Sequence, residues 1–436
     1  MKDIDISKIK HAHFIGIGGI GISAIARMMA LEGKVVTGND LDEFEMVGAL
    51  RKFGVDTKIG TDNSVIPKTA DLIVYSIAWN TIKPEILEYA RTLGVPVLSY
   101  PEMLGVISKE KFTIAVSGTH GKTTTTAMIA KILLDAGLEP TVIVGSSLKD
   151  QKSNFIAGKS KYFVVEACEY KRSFLNLHPN ILVITNIDDD HLDYYKDIAD
   201  IQSAFRELAS RITIEDYLVC NPSDENIPQV ISGLRCAIRD YSLADAKHAI
   251  HLPGDHNKKN AGAALAVASI LGIEEKTALN SLNTFSGTWR RFEYRGKTIY
   301  GADVYDDYAH HPTEIKATLS MARELFPSKK ITVAFQPHLY SRTKDHLEDF
   351  ADAFKDADNV LLAPIYAARE SFDPSISSEM VAEKIRANHR GNVRAYDSLD
   401  SISEALNSLK KDEVLITMGA GDINTIANDL ATPVDL

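Results

Sequence analysis

The sequence has few cysteines and no long hydrophobic run. Its 436 residues include only Cys168, Cys220 and Cys236. An odd number of widely separated cysteines argues against a disulfide framework and fits a reducing compartment. No apolar stretch approaches the ~18 residues of a membrane-spanning helix, and the first residues lack the apolar core of a signal peptide. We therefore expect a soluble, cytoplasmic protein.

Excess positive charge, internal repeats and low-complexity segments are also missing. The chain carries 48 basic and 59 acidic residues, a net charge of −11. This balance disfavours nucleic acid or an anionic membrane as a general partner. An anionic substrate would have to be held by local N–H groups, lysine, arginine or a metal ion. The length, at roughly 150 residues per domain, predicts about three domains.

A glycine is missing from the phosphate-binding motif. The full pattern G-x-x-x-x-G-K-[ST] requires glycine where Val116 stands, so a shortened G-T-H-G-K-T remains at 118–123. An apolar strand precedes this turn and a helical pattern follows it. Backbone N–H groups of such a turn hold phosphate, Lys122 would reach the β- and γ-phosphates, and the Thr123 hydroxyl could bind Mg²⁺. We favour nucleotide binding over the alternative of a structural turn.

A second glycine turn, G-I-G-G-I-G at 16–21, lies between an apolar strand and a helical pattern. Asp40 follows at the end of the next strand. This arrangement is usually associated with NAD, but the glycines permit any diphosphate to approach the helix N-terminus, so a UDP-linked ligand fits equally well. A purely structural turn is the remaining alternative.

Strands and helices alternate along the chain, which predicts an α/β fold with doubly wound, mainly parallel sheets. Ligands of such sheets gather at the carboxyl ends of strands. Glu166 ends one apolar strand, and His191 follows the end of another. Either could be an ordinary surface residue, but together with Lys122 and Thr123 they favour a metal site.

Three further groups are candidates for ligand contacts. Asn257 and Asn260 lie just ahead of a predicted helix at 261–271, where they could cap the helix or bind a base edge. Polar loops containing His310, and His338 with Arg342, follow two later strands. Such loops indicate the substrate edge of a third α/β unit, although surface loops are also commonly polar.

Taken together, the motifs resemble those of the Mur ligase family, the ATP-dependent amide ligases of peptidoglycan precursor synthesis. The resemblance covers the whole chain and rests on the two glycine turns and on T-N-I-D-D-D-H-L-D-Y-Y, D-H-N-K-K-N, R-R-F, D-D-Y-A-H-H-P-T-E and Q-P-H-L-Y-S-R-T. It implies a Rossmann-like UDP-substrate domain at 1–106, a central P-loop ATPase domain at 107–287, and a Rossmann-like domain at 288–436 that binds the amino acid and closes on the nucleotide.

The resemblance also implies roles for individual residues. The expected catalytic residues are Lys122, Glu166, His191, Arg291 and Arg342. The expected ATP contacts are Gly118, Thr119, His120, Gly121, Lys122, Thr123, Thr124, Asn257, Asn260, Arg291 and Asp307. The expected Mg²⁺ ligands are Thr123, Glu166 and His191. The expected substrate contacts are Gly18, Gly19, Gly21, Asp40, Ser76, His310, His338 and Arg342.

Among family members, the resemblance is strongest to the one that joins L-alanine to the carboxylate of UDP-N-acetylmuramate through an acyl phosphate. This implies ATP and Mg²⁺ as cofactors, domain closure before chemistry, and a monomer or weak homodimer. A recycling ligase that attaches a peptide to the same sugar shares these motifs. An NAD-dependent dehydrogenase would explain only the first 40 residues or so, and a non-enzymatic nucleotide-binding regulator would leave the catalytic groups without a role.

The sequence departs from the common family pattern at a few positions. The acidic run that begins at Glu166 reads E-A-C-E-Y-K-R. The position before Tyr340, often arginine in the family, is Leu339, and Tyr100-Pro101 replaces an expected arginine before E-M-L. We expect the chemistry to be retained and the substrate contacts to differ in detail.

Overall fold

The computed structural model describes residues 4–43, 45–149, 151, 153–244, 253–368 and 370–432. The chain divides into two compact units. The first comprises Met1–Ile187, Gln202–Ala249 and Asn260–Phe285, and the second comprises Asp188–Ile201, Ile250–Lys259 and Ser286–Leu436. No helix within the described ranges is long and apolar enough to cross a membrane.

The first unit contains two sheets. The strands of the first sheet are β1 (His11–Ile15), β2 (Val35–Asp40), β3 (Asp56–Ile59), β4 (Leu72–Tyr75) and β5 (Val97–Ser99). Their order is β3-β2-β1-β4-β5, and all neighbours are parallel. The order reverses at β1, so the turn after β1 opens at the position where doubly wound sheets bind ligands.

The second sheet has seven strands in the order β12-β11-β10-β6-β9-β7-β8. They are β6 (Phe112–Ser117), β7 (Thr141–Leu148), β8 (Ser153–Ile156), β9 (Tyr162–Glu166), β10 (Ile181–Ile184), β11 (Tyr217–Cys220) and β12 (Ala237–Asp240). Only the β7–β8 pair at one edge is antiparallel among these described strands. The central strand β6 is buried on both faces, which explains its continuous apolar run.

The second unit contains a six-stranded sheet in the order β13-β14-β18-β15-β16-β17. Its strands are β13 (Glu293–Lys297), β14 (Asp303–Asp307), β15 (Lys330–Phe335), β16 (Asn359–Leu362), β17 (Asn392–Ala395) and β18 (Glu413–Met418). The edge strand β13 is antiparallel to β14, and the other neighbours are parallel. Alternate residues of β15 enter two hydrophobic clusters, with Val333 and Phe335 in one and Ala334 in the other. The sheet is therefore covered on both faces.

The helices follow the strands in alternation. They are α1 (Ile20–Leu31), α2 (Glu45–Arg51), α3 (Trp79–Ile82), α4 (Pro84–Thr92), α5 (Tyr100–Glu110), α6 (Lys122–Asp135), α7 (Ile198–Ala209), α8 (Pro228–Ile231), α9 (Asp255–Ile270), α10 (Glu275–Asn283), α11 (Pro312–Leu325), α12 (Tyr340–Asp345), α13 (Leu347–Ala353), α14 (Ser378–Asn388), α15 (Leu399–Leu406) and α16 (Asn424–Leu430).

These elements confirm the predicted α/β class with three mainly parallel sheets. The prediction of where α9 begins was wrong, because the helix starts at Asp255 and includes the D-H-N-K-K-N motif. Asn257 and Asn260 therefore lie inside the helix rather than ahead of it.

Candidate active site

The turn after β6 is held against the end of β10. The N–H of Thr119 donates to the carbonyl of Asn186 at 3.1 Å, and the N–H of His120 donates to Asn186 Oδ1 at 2.9 Å. Gly118 and Gly121 have φ of +132° and +82°, conformations in which a side chain would be strained. At Gly118 a Cβ would also collide with Thr185. The two glycines are therefore required by backbone geometry.

Lys122 begins α6, and its side chain folds back over this turn. Its Nζ donates to the carbonyls of Gly118 (2.6 Å) and Thr119 (2.9 Å) and to Glu169 Oε1 (2.9 Å). Burial alone would lower the pKa of Lys122, but the neighbouring carboxylate of Glu169 outweighs burial and raises it. The ammonium group is therefore charged at neutral pH.

The next residue of α6, Thr123, meets Glu166 at the end of β9. Its hydroxyl lies 3.1 and 3.0 Å from the two oxygens of the Glu166 carboxylate, one of which also accepts the N–H of Gly145 at 2.7 Å. The structure thus brings together a hydroxyl and a carboxylate at the first turn of a helix. Oxygen donors of this kind are those that Mg²⁺ prefers, so these residues fit the predicted metal.

The buried side chain of Asn260 also belongs to this group. Its Oδ1 accepts the Thr125 hydroxyl at 3.2 Å, and a Cβ at Gly121 would collide with it. Thr124, between the two threonines, is buried in the first turn of α6. The residues that converge in the first unit are Gly118, Thr119, His120, Gly121, Lys122, Thr123, Thr124, Glu166 and Asn260.

The turn after β1 forms a separate group at the switch point of the first sheet. The N–H of Gly18 donates to Asp40 Oδ2 at 2.7 Å, and the other oxygen of Asp40 accepts the N–H of Leu41 at 2.8 Å. Ser76 lies at the end of the neighbouring strand β4 and donates its N–H to the carbonyl of Ile15 at 2.9 Å. Asp40 therefore fixes the glycine turn through main-chain contacts.

Gly19 and Gly21 lie at the beginning of α1, where Gly19 is the N-cap residue. A Cβ at Gly21 would lie 2.5 Å from Cζ and 2.6 Å from Oη of Tyr100. The phenol of Tyr100, which replaces the arginine expected from the family pattern, therefore packs directly on the backbone of Gly21.

In the second unit, Asp190 links three of the predicted residues. Its Oδ1 accepts Arg342 Nη2 at 3.1 Å, and its Oδ2 lies 3.8 Å from His191 Nε2. Arg342 Nη1 lies 3.2 Å from His338 Nδ1. Burial would raise the pKa of Asp190, but the neighbouring His191 and Arg342 side chains outweigh burial and lower it. Asp190 is therefore ionised, and it fixes the guanidinium of Arg342.

His310 and Arg291 meet at Glu314 on α11. Glu314 Oε2 lies 3.4 Å from His310 Nδ1, and Glu314 Oε1 lies 3.6 Å from Arg291 Nη1. The rings of His310 and His338 are 5.9 Å apart, which joins this group to Arg342. Burial lowers the pKa of His310 to about 3, so its imidazole is neutral at physiological pH.

Asp307 and Asn257 complete the predicted set. The Asp307 carboxylate accepts the N–H groups of Phe292 and Ala309, each at 2.7 Å, and burial raises its pKa to about 6. The Asn257 side chain donates to the carbonyl of Pro253 at 2.8 Å. The helix-capping alternative for Asn257 is wrong, since the residue lies within α9.

Glu169, Asp190 and Glu314 were not among the predicted site residues. Each contacts one or more of those residues, and each lies inside a motif that the sequence already displayed. Asp190 is the last acid of D-D-D-H, and Glu314 ends D-D-Y-A-H-H-P-T-E. A run of acids beside a histidine or a lysine was the available signal, but sequence alone does not show which acid makes the contact.

Comparison with known proteins identifies the family of this chain. The chain matches three family profiles, described as Mur ligase family, catalytic domain (residues 11–112), Mur ligase middle domain (116–249) and Mur ligase, glutamate ligase domain (290–421). The chain therefore belongs to the Mur ligase family and is a ligase. The proposed dehydrogenase alternative is not favoured, because the match extends over all three regions.

Individual relatives are similar over nearly their whole length. The UDP-N-acetylmuramate--L-alanine ligase of Clostridium kluyveri is 41% identical, with 96% of this chain and 97% of the relative covered. The protein of the same name from Agathobacter rectalis is 39% identical, with 99% of each covered. The crystal structure of UDP-N-acetylmuramate-alanine ligase from Thermotoga maritima has a TM-score of 0.78 and 28% identity, covering 97% of this chain and 98% of that one. A murein peptide ligase from Psychrobacter arcticus, at 24% identity and a TM-score of 0.70, shares the fold.

Proposed function

We propose that this chain uses ATP to join L-alanine to the carboxylate of UDP-N-acetylmuramate, as a cytoplasmic monomer or weak homodimer. The observation that carries the proposal is the arrangement of Lys122, Thr123 and Glu166 around the turn after β6. It occurs in a chain about 40% identical, over nearly its full length, to relatives named for this reaction. The recycling ligase is less favoured, since these relatives, which match over nearly the whole chain, are named for the alanine reaction.

The reaction must first activate a carboxylate, because an amine does not displace oxide or hydroxide from it at a useful rate. The muramoyl carboxylate attacks the γ-phosphorus of ATP, the bond to the ADP oxygen breaks, and an acyl phosphate forms. The uncharged amine of alanine then attacks the carbonyl carbon, phosphate leaves with the bonding electrons, and the amine nitrogen releases one proton as the amide forms. Both reactants of the first step are anions, so local positive charge is essential.

Lys122 and the start of α6 supply that charge in our proposal. The first N–H groups of a helix have no intrahelical partner and carry the positive end of its dipole, which suits the ATP phosphates. Thr123 and Glu166 would hold Mg²⁺, which neutralises phosphate charge when bound. We propose His191 as a further metal ligand, and Asn257, Asn260, Arg291 and Asp307 as nucleotide contacts.

The turn at the start of α1 would receive the UDP diphosphate. Because Asp40 already occupies the N–H of Gly18, we propose that the diphosphate is bound mainly by the N–H groups of the first turn of α1, beside Gly19 and Gly21. Asp40 and Ser76 would shape the rest of this site. Asp40 then acts by fixing the turn rather than by binding ribose.

Arg342, His338 and His310 would recognise a carboxylate, either that of alanine or that of the muramoyl group. A guanidinium held at 3.1 Å by Asp190 needs little reorganisation to pair with a substrate carboxylate. The neutral imidazole of His310 adds a hydrogen-bonding group without adding charge.

Measuring ADP formation separates these functions. Purified enzyme with UDP-N-acetylmuramate, ATP and Mg²⁺ is supplied in turn with L-alanine, L-serine, glycine or the recycled tripeptide. We expect ADP release with L-alanine. The rate of ADP release should be at least about 10³-fold lower in the Lys122→Ala variant, which should still bind the UDP-sugar. Preference for the tripeptide would favour the recycling ligase. Absence of sugar-dependent ADP release would contradict both the alanine ligase and the recycling ligase.

A further inference from the structure

A buried acid that the proposed reaction does not use lies beside the turn after β6. Glu169 is 2% exposed, and its carboxylate lies 2.9 Å from Lys122 Nζ. An ammonium group has three N–H bonds, and those of Lys122 are directed at Gly118, Thr119 and Glu169. Lys122 therefore has no N–H left for a phosphate oxygen in this arrangement.

Main-chain hydrogen bonds hold the segment from which the Glu169 side chain extends. Glu169 lies three residues after the end of β9, where the chain enters a short 3₁₀ segment, Tyr170–Asn176. The carbonyl of Glu169 accepts the N–H of Arg172 at 2.9 Å, and that of Cys168 accepts the N–H of Phe174 at 3.0 Å. A lysine side chain has more rotatable bonds than this held glutamate, so Lys122 is the partner that can move.

We propose that Glu169 is a positioning residue that holds Lys122 in the nucleotide-free enzyme and is displaced from it by the ATP phosphates. This inference rests on the ATP-binding part of the proposed function. The two anions compete for one ammonium group, and the carboxylate stays close to the phosphates after Lys122 has changed partner. Glu169 therefore weakens ATP binding while it keeps the charged lysine ordered beside the turn.

Removing the charge of Glu169 should change nucleotide affinity in the opposite direction from removing a carboxylate that only supports the turn. Loss of a structural carboxylate would loosen the turn and weaken nucleotide binding. Loss of a competing carboxylate should strengthen it, because like charges placed together oppose binding. Nucleotide affinity therefore separates the two roles even if a substitution at Glu169 also lowers the stability of the protein.

The test uses full-length enzyme and the non-hydrolysable ATP analogue AMP-PNP with Mg²⁺, with binding measured by calorimetry. Glu169→Gln keeps the shape and removes the charge, and we expect the Kd to fall about tenfold. Glu169→Asp withdraws the carboxylate by one methylene, and we expect a fall of about threefold. In turnover assays with Glu169→Gln, the KM for ATP should fall similarly while kcat changes less than threefold.

Glu207→Gln is the matched control, because Glu207 pairs with Arg172 and Arg211 at the surface of the same unit. Its Kd should stay within twofold of the wild-type value. Unchanged or weaker AMP-PNP binding by the Glu169 variants would overturn the inference, and if Glu169→Gln does not fold, Glu169→Asp decides. Analogue binding needs no sugar, so tighter binding without sugar-dependent ADP release would contradict the proposed function alone.

Discussion

Two aspartates at opposite ends of β14 have pKa values shifted in opposite directions. Asp307 is surrounded by protein, and burial raises the pKa of its carboxyl to about 6 despite the charge of Arg291. At Asp303 burial also raises the pKa, but hydrogen bonds from Lys297 and Lys329 outweigh it and lower the pKa. The same residue type on one strand therefore contributes differently to stability.

The Asp307 shift predicts a pH dependence of stability. Between the ordinary pKa of aspartate, about 3.9, and the value of about 6, the folded chain binds more protons at this site than the unfolded chain. The stability contribution of Asp307 is therefore largest at low pH and is lost as pH rises through 6. From pH 7 to pH 5, wild type should gain about 1 to 2 kcal/mol relative to Asp307→Asn, seen in denaturant titrations at each pH.

Asp303→Asn provides the control for this comparison. Because its pKa is lowered from an already low value, Asp303 stays ionised from pH 5 to 7 in both states. The stability difference between wild type and this variant should therefore be constant over that range. A constant difference for Asp307→Asn as well would show that its carboxyl titrates normally.

At the scale of elements, the starts of α1 and α5 meet at Gly21 and Tyr100. Gly21 in α1 and Gly48 in α2 both have helical backbone, but their surroundings differ. A Cβ at Gly21 would lie 2.5 Å from Tyr100 Cζ, whereas one at Gly48 would have its nearest neighbour at 3.8 Å. Alanine should therefore have opposite effects at these two positions.

We expect Gly21→Ala to destabilise the protein by about 1 to 3 kcal/mol through overpacking. Gly48→Ala should stabilise it by about 0.5 to 1 kcal/mol, since glycine is a poor helix former. In a Tyr100→Ala background, the loss caused by Gly21→Ala should shrink, because the colliding ring is gone. Equal losses in both backgrounds, measured by thermal unfolding, would rule out the contact as the cause.

The sequence predicted those elements that have a clear local pattern of residues. The apolar runs of β6 and β10 and the glycine turns before α1 and α6 identify strand–turn–helix units, and the parallel order of the sheets follows from their alternation. The antiparallel edge strands β8 and β13 were not predicted, because short, partly polar edge strands have weak patterns. The contacts of Tyr100 with Gly21 and of Glu169 with Lys122 depend on which elements meet, which no local pattern specifies.

At the scale of the whole molecule, Arg27 joins the two sheets of the first unit. Arg27 is buried in α1, beside the first sheet, and it donates to Asn154 and, at 3.0 Å, to Ser153 on edge strand β8 of the second sheet. Asn154 in turn donates to the carbonyl of Ile20 at 2.7 Å. The guanidinium also lies over the ring of Phe155, 5.4 Å from its centre. These contacts should make the two sheets unfold together.

Arg27→Met keeps the apolar stem and removes the guanidinium hydrogen bonds to Ser153 and Asn154, leaving the buried side-chain carbonyl of Asn154 without its donor. We expect a loss of about 2 to 3 kcal/mol and, in scanning calorimetry, separation of one transition into two, of which UDP-N-acetylmuramate raises only one. Lys131→Met, which removes a partly exposed pair with Asp135 on α6, should change stability by no more than about 0.5 kcal/mol and leave the transition single. If Arg27→Met also unfolds in one transition at the wild-type temperature, the sheets are coupled through other contacts between α1 and the β7–β8 hairpin.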